Sequence, residues 1–356
     1  ISRLWKQSSG LIARSVTQNA GDHGEHYITR DKKEYWAMFY SAAGGGVLIA
    51  LMALFKTYLG SIIDDKVWKG LAEGLNYGFG FMVIFILHFT VATKQPAMTA
   101  ARFAEAVEKN PQGKTLNMKL AQLLVDVFRS QSVAVLGNVV VAMGLAALIA
   151  FVYQHQTGEP LMNSENIAYQ LHRIDPLDGS LWFAAIAGVW LFCSGIISGY
   201  FDNRSNYLNM RMRLAQHPLL KKLMSEKSRV KFANYMHENY GSLIGNFCFG
   251  MLLGLTGLVG YLTHLPLDIR HVAFSSANVG YIAVSGHFTY SLLLQCIAFV
   301  LLIGLVNLIV SFSLTLWVAL RSLNAEIDSW WLIWHEVCQI VKKRPLSLFL
   351  PVQLDK

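Results

Sequence analysis

Ser132–Tyr153, SVAVLGNVVVAMGLAALIAFVY, is an uncharged run. At about 20 residues it is long enough to cross a hydrocarbon core of roughly 30 Å as a helix. Leu136-Gly137-Asn138 stands near its start and Tyr153 at its end. The layout returns in Ser242–Tyr261, with Ile244-Gly245-Asn246 and Tyr261, and more loosely from Ser41, with Gly44-Gly45-Gly46 in the matching place. Three more apolar runs follow these three in turn. The pattern predicts spans near Trp36–Leu59, Leu71–Ala92, Ser132–Tyr153, Leu181–Phe201, Gly241–Thr263 and Tyr290–Ala319. The fold class expected is all-α: a polytopic membrane protein whose six transmembrane helices form three repeated hairpins, with cytoplasmic helical extensions. Small residues at Gly74/Gly78, Gly195/Gly199 and Gly250/Gly254 allow close helix approach. Val272–Gly286 is apolar but too short to span, and fits a re-entrant or interfacial segment.

Lys and Arg alternate between rich and poor segments at every crossing. They crowd residues 1–35, the stretch 93–131, the stretch Arg204–Lys231 and the tail ending Lys342-Lys343-Arg344. The intervening loops carry few: Gln154–Gly179 has Arg173 against Glu159, Glu165, Asp175 and Asp178. By the positive-inside rule both termini face the cytoplasm of a bacterial inner membrane. Three segments result: a cytoplasmic stretch 1–35, a six-helix domain 36–320 and an amphipathic basic tail 321–356. The chain opens on Ile1, and residues 1–20 resemble the continuation of a longer upstream region. Composition agrees with a membrane setting. The 356 residues are 54% hydrophobic and only 15% charged, against roughly 25% charged in soluble domains. The net charge of +8 therefore reflects topology before it reflects nucleic acid. Cys193, Cys248, Cys296 and Cys338 show neither metal spacing nor an evident pairing and read as small core residues.

Candidate chemistry is sparse. His23, Glu25 and His26 are close enough to ligate a divalent metal, but they lack the i, i+4 helical spacing of a zinc protease motif; a polar docking turn is the plainer reading. Asp268, Arg270 and His271, on the charge-poor side, suit a ligand or proton site, or a salt-bridged loop anchor. His88, Asn138, Asn246 and Asn307 fall inside predicted spans, where polar side chains hydrogen-bond between helices or line a path. Lys56 is placed to snorkel to the interface. Lys94, Arg204, Arg211 and Arg321 form a basic cytoplasmic face suited to anionic headgroups. Arg204, Tyr207 and Arg211 share a helical face at i, i+3, i+7, with His217 beyond, which also suits phosphodiester chemistry. Glu326–Arg344 has the pattern of an interfacial amphipathic helix. No phosphate loop, GxSxG, HExxH or GxGxxG occurs, which removes the common nucleotide-dependent and hydrolase signatures.

Four unusual strings carry a resemblance: GEHYITRDKKEY (24–35), TKQPAMTA (93–100), the Asn203–Pro218 segment ending AQHP, and DIRHVAFSSANVG (268–280). Together the chain resembles a bacterial membrane-protein family that carries the name site-specific recombinase, the gonococcal Gcr type, over essentially its whole length. The match is to the C-terminal membrane half of longer members. The name implies DNA strand exchange. Yet this chain has no H-x-x-R pair of the tyrosine recombinases and no soluble serine-recombinase domain, so no catalytic residue carries over.

Three functions therefore stand as expectations: transport or channel-like activity, DNA recombination, and a scaffold or lipid-interacting role. The partners expected are membrane lipids, a second copy of the chain or other membrane proteins, with nucleic acid the weaker candidate. No cofactor is named by the residues.

Overall fold

The computed structural model describes residues 28–29, 31–92, 99–100, 103–104, 106–107, 114–323, 327 and 329–350. They are all helical or loop. The helices are α1 (Lys32–Ile62), α2 (Lys66–Ile86), α3 (Lys114–Thr157), α4 (Ser164–Ile174), α5 (Ser180–Tyr207), α6 (Met210–Gln216), α7 (Pro218–Leu223), α8 (Glu226–Thr263), α9 (Val272–Ser285), α10 (Tyr290–Leu323) and α11 (Trp330–Lys343). The described residues between 99 and 107 are helical too.

Several helices start where side chains satisfy the free N–H groups of the first turn. The Asp31 carboxylate accepts from Glu34 N at 2.7 Å, Asp65 from Val67 N and Trp68 N at 2.9 Å, and Asn163 from Asn166 N at 2.8 Å. Five helices are long and apolar enough to cross a membrane, within α1, α3, α5, α8 and α10. The second expected span, α2, is shifted from 71–92 to Lys66–Ile86. Its first half carries Lys66, Lys69, Glu73 and Asn76, which lowers its hydropathy below that of the other five. Residues 87–92 leave the helix through His88, whose φ of 57° is left-handed. His88 is thus exposed at a chain break, rather than packed inside a span.

Of the expected hairpins the first pairs, α2 meeting α1 through Asn76 Nδ2 to Met52 O at 2.9 Å, and the other two do not. α3 and α5 share no extended interface, nor do α8 and α10. Instead α3 lies along α1 and α9, α8 lies between α2 and α5, and α10 packs on α5. Gly45 and Gly137 fall in the same α1–α3 contact, while Gly245 faces Ser194 and Ser198 of α5; these are not three equivalent places around an axis. The Gly74/Gly78 and Gly250/Gly254 pairs do mark a close crossing. A Cβ added at Gly254 would collide with Gly74 Cα, and one at Gly250 with the backbone of Tyr77 and Gly78.

The apolar core runs through the middle of the bundle, from Ile49 and Phe81 to Phe249, Ala277 and Tyr281. Short α9 is buried along most of its length, as an uncharged segment too short to span should be. At the Lys/Arg-rich end a second cluster joins Phe103, Leu120, Leu316 and Ile333. There Arg129, 5% exposed, bonds Asp126 at 2.9 Å and the backbone oxygens of Thr29 and Ser347. It ties the start of the described chain, α3 and the tail together. In α11 Ile333 and Val337 face inward while Trp331 and Trp334 are exposed, the amphipathic division expected.

Candidate functional site

A cavity of about 1230 Å³ opens at the Lys/Arg-poor end. Its walls are the last turns of α1, the first half of α2, α4, the end of α8 and the 264–271 loop, with Asn278 of α9 below. Two sets of charges meet in it. Lys56 of α1 and Glu73 of α2 pair at 3.0 Å, with side chains 29% and 12% exposed, and the Lys56 ammonium lies 5.5 Å over the Tyr77 ring. Lys56 therefore turns inward to a carboxylate and an aromatic face, rather than snorkelling. The second set is Asp268 between two arginines. Arg270 Nη1 donates to it at 2.6 Å, and Arg173 Nη2 approaches at 3.4 Å.

The loop that holds this second set is built by backbone bonds. Arg270 Nε donates to Arg173 O at 2.6 Å, and Arg270 N to Phe183 O at 3.2 Å. Burial alone raises the Asp268 pKa, but the charges of Arg173 and Arg270 outweigh it and hold the carboxyl down at about 2. Asp268 is an anion at neutral pH. Arg173 has its pKa pushed down by burial and raised by Asp268 and by Tyr169, with a net rise; it stays a cation. Its Nε is buried without a hydrogen-bond partner, a donor left over after Asp268 has been served.

The expected trio Asp268, Arg270 and His271 thus splits. Asp268 lines the cavity and Arg270 supports it from behind, only 7% exposed. His271 points the other way, 1% exposed, into a box of Phe81, Phe249 and Phe274 with ring centroids 5.9–6.4 Å away. Burial lowers its pKa to about 4, which keeps the ring neutral at neutral pH. Pattern reading passed over Glu73, and gave Lys56 and Arg173 other places, one as a snorkelling lysine and one as a loop cation. The available signal was the poor hydropathy of α2: an ionisable group inside a span marks function by default.

Two of the intramembrane asparagines join segments distant in sequence. Asn138 donates to Ala42 O and to Thr90 O at 3.0 Å and accepts from Ala92 N at 2.6 Å. Asn307 donates to Ala184 O at 2.8 Å and Arg270 O at 2.9 Å and accepts from Val272 N at 3.1 Å. Asn246 bonds back to Ser242 O, one turn earlier, at 2.7 Å.

The basic end shows no comparable convergence. Tyr207 is the last residue of α5 and 87% exposed. The helical face expected to join it to Arg211 is broken at Asn209, left-handed at φ 47°, before α6 begins. Arg204, Arg211 and His217 are exposed; Arg204 Nη1 donates to the Tyr200 hydroxyl at 3.4 Å. Arg321 is exposed over the Trp317 ring. Lys94 and the His23, Glu25, His26 group lie outside the described residues, and among those described no metal-binding group of His, Cys, Asp or Glu occurs.

Compared with known families, residues 1–351 match the family described as Site-specific recombinase, and the chain belongs to it. No curated protein and no solved structure matches the chain.

Proposed function

We propose that the chain is a six-span protein of the bacterial inner membrane, both termini cytoplasmic, that takes a small anionic solute into its charged cavity as the entrance to a transport path. α2 is the sixth span. Its 21 residues extend about 30 Å, enough to cross, and its charges face protein and cavity. The observation that carries the reading is the cavity itself. Open pockets with paired ions at the depth of apolar helices are costly in lipid and are kept for solute or ion paths. Its lining holds Lys56, Lys66, Lys69 and Arg173 against Glu73 and Asp268, so the excess is cationic and favours an anion.

Recombination has the family's name behind it, and the residues oppose it. Strand transfer needs a nucleophile, arginines and an acid–base group held in fixed geometry, and Tyr207, Arg204, Arg211 and His217 are scattered on exposed surface. The test is a melt of purified protein with phosphate, sulfate and small carboxylates, then vesicle flux of whichever anion raises Tm. Arg173→Gln and Lys56→Met are expected to abolish both effects. Two results overturn the reading: no anion that shifts Tm or moves, or a covalent DNA adduct that disappears in Tyr207→Phe.

A further inference from the structure

The two asparagine clamps are the same construction twice. Each donates to a carbonyl on a neighbouring helix, donates to the carbonyl of residue i in a chain break and accepts from the N–H of residue i+2. Four residues past each helix carbonyl lies a glycine, Gly46 after Ala42 and Gly188 after Ala184. A Cβ at Gly46 would meet Asn138 O and Val141 Cβ; a Cβ at Gly188 would meet Asn307 O and Val310 Cβ. Both breaks open on a left-handed histidine, His88 at φ 57° and His264 at φ 54°. Both are followed by short helical stretches, one packing on α10 through Phe103 and Phe312, the other on α3 through Gly280 and Met143.

The correspondence therefore runs α1, α2, break, short helix, α3 against α5, α8, break, α9, α10. The directions are opposite. α1 and α3 are parallel to each other and α2 antiparallel to them; α5 and α10 are parallel and α8 antiparallel. α2 and α8 cross head to tail, Gly74 against Gly254 and Gly78 against Gly250. That crossing is self-complementary, as a twofold axis perpendicular to both helices requires.

We propose that residues 32–157 and 180–323 are an inverted-topology repeat, and that access to the cavity alternates between the two ends by the halves exchanging conformations. This rests on the cavity reading above. The halves now differ at the equivalent place. Around the cavity α1 and α2 meet through long side chains, Lys56 to Glu73 at 3.0 Å and Asn76 to Met52 O at 2.9 Å, whereas α5 and α8 are packed close at the equivalent place: Gly245 sits against Ser198, and Gly241 N donates to Asp202 at 2.9 Å. In the exchanged state α1 and α2 close as α5 and α8 do now. α5 and α8 part, opening a cavity at the Lys/Arg-rich end beside Ser194, Ser198 and Asn246. Lys56 and Glu73 correspond to Ser198 and Phe249. The cationic partners of the solute thus belong to one half, and the opposite mouth is lined by Ser194, Ser198, Asn246 and the Asp202 carboxylate.

The test needs no substrate. Chains with the four cysteines replaced by serine, carrying Gln170→Cys, Ser194→Cys or Asn246→Cys, are set in nanodiscs and labelled with a charged thiol reagent. Gln170→Cys labels fast. Ser194→Cys and Asn246→Cys, buried here, label slowly. Adding Gly60→Trp at the cavity mouth slows both about tenfold, as a bias against the closed cavity should, and leaves Gln170→Cys unchanged. As an arm independent of the wedge's folding, an oxidised Lys56→Cys/Lys69→Cys pair should speed Asn246→Cys. Labelling at 194 and 246 that ignores both changes, or never occurs, overturns the alternation. Anion binding that survives such a result keeps the cavity reading; alternation without any anion effect sinks that reading alone.

Discussion

At the residue scale the asparagine clamps govern stability. Each satisfies one carbonyl and one N–H in a buried break between helices and adds a bond to a helix carbonyl, and unmet buried groups cost about 1–3 kcal/mol each. Asn138→Leu and Asn307→Leu are each expected to lose about 2–4 kcal/mol in detergent unfolding. His271 sets an acid dependence. Its folded pKa of about 4 lies below the ordinary 6.5, so its contribution is complete above 6.5. It is lost as pH falls from 6.5 to about 4, where the folded ring also takes a proton; the full loss is up to about 3 kcal/mol. Asp268 acts lower, its contribution fading from its ordinary 3.8 towards about 2. Melts at pH 7.5 and 5 should therefore differ, and His271→Phe should flatten that difference while Asp268→Asn should not. The composition of the sequence showed these residues; their partners, up to a hundred or more positions away, it did not.

At the element scale the long apolar runs were legible because nothing in them competes with a spanning helix. The third to sixth spans stand close to where the pattern put them. α2 was misplaced at both ends for different reasons. Its charged first turn is helical because Asp65 caps it and Lys56 meets Glu73. Its expected last turn is absent because Ser41 and Asn138 bond the unwound backbone at Thr90 and Ala92. Local pattern holds neither cause. The α2–α8 crossing gives a sharper prediction. Gly254→Leu should separate the helices, lower Tm and cost about 1–3 kcal/mol, while the same change at Gly144, with open space around it, should be nearly neutral.

At the scale of the whole molecule, Lys and Arg supply an expected orientation that labelling tests, whereas the pairing of spans was not legible, because α1 meets α3 and α2 meets α8 across long sequence gaps. Cysteines at Asp65 and Leu177, both exposed, should react with an impermeant reagent outside intact cells, and one at Lys227 should react only after permeabilisation. Labelling on the opposite side at any of them would break the six-span arrangement. Arg270, 7% exposed, is unsuited as a topological probe although its loop faces the same way as Leu177.

The Lys56–Glu73 pair also bears on how the protein is made. α2 carries a carboxylate and two lysines in its first half, so as an isolated segment it is a poor substrate for the machinery that releases helices into lipid. A single acidic or basic residue at the centre of a helix costs about 2.5–3.5 kcal/mol on the insertion scale. Paired at 3.0 Å with Lys56, Glu73 enters as half of a neutral unit. If α2 spans, as proposed, α1 is expected to act as a chaperone for its successor, the two leaving the translocon together. In a glycosylation-mapping assay, α2 presented without α1 should fail to insert, and Lys56→Ala in the α1–α2 pair should reduce insertion while Glu73→Gln restores it.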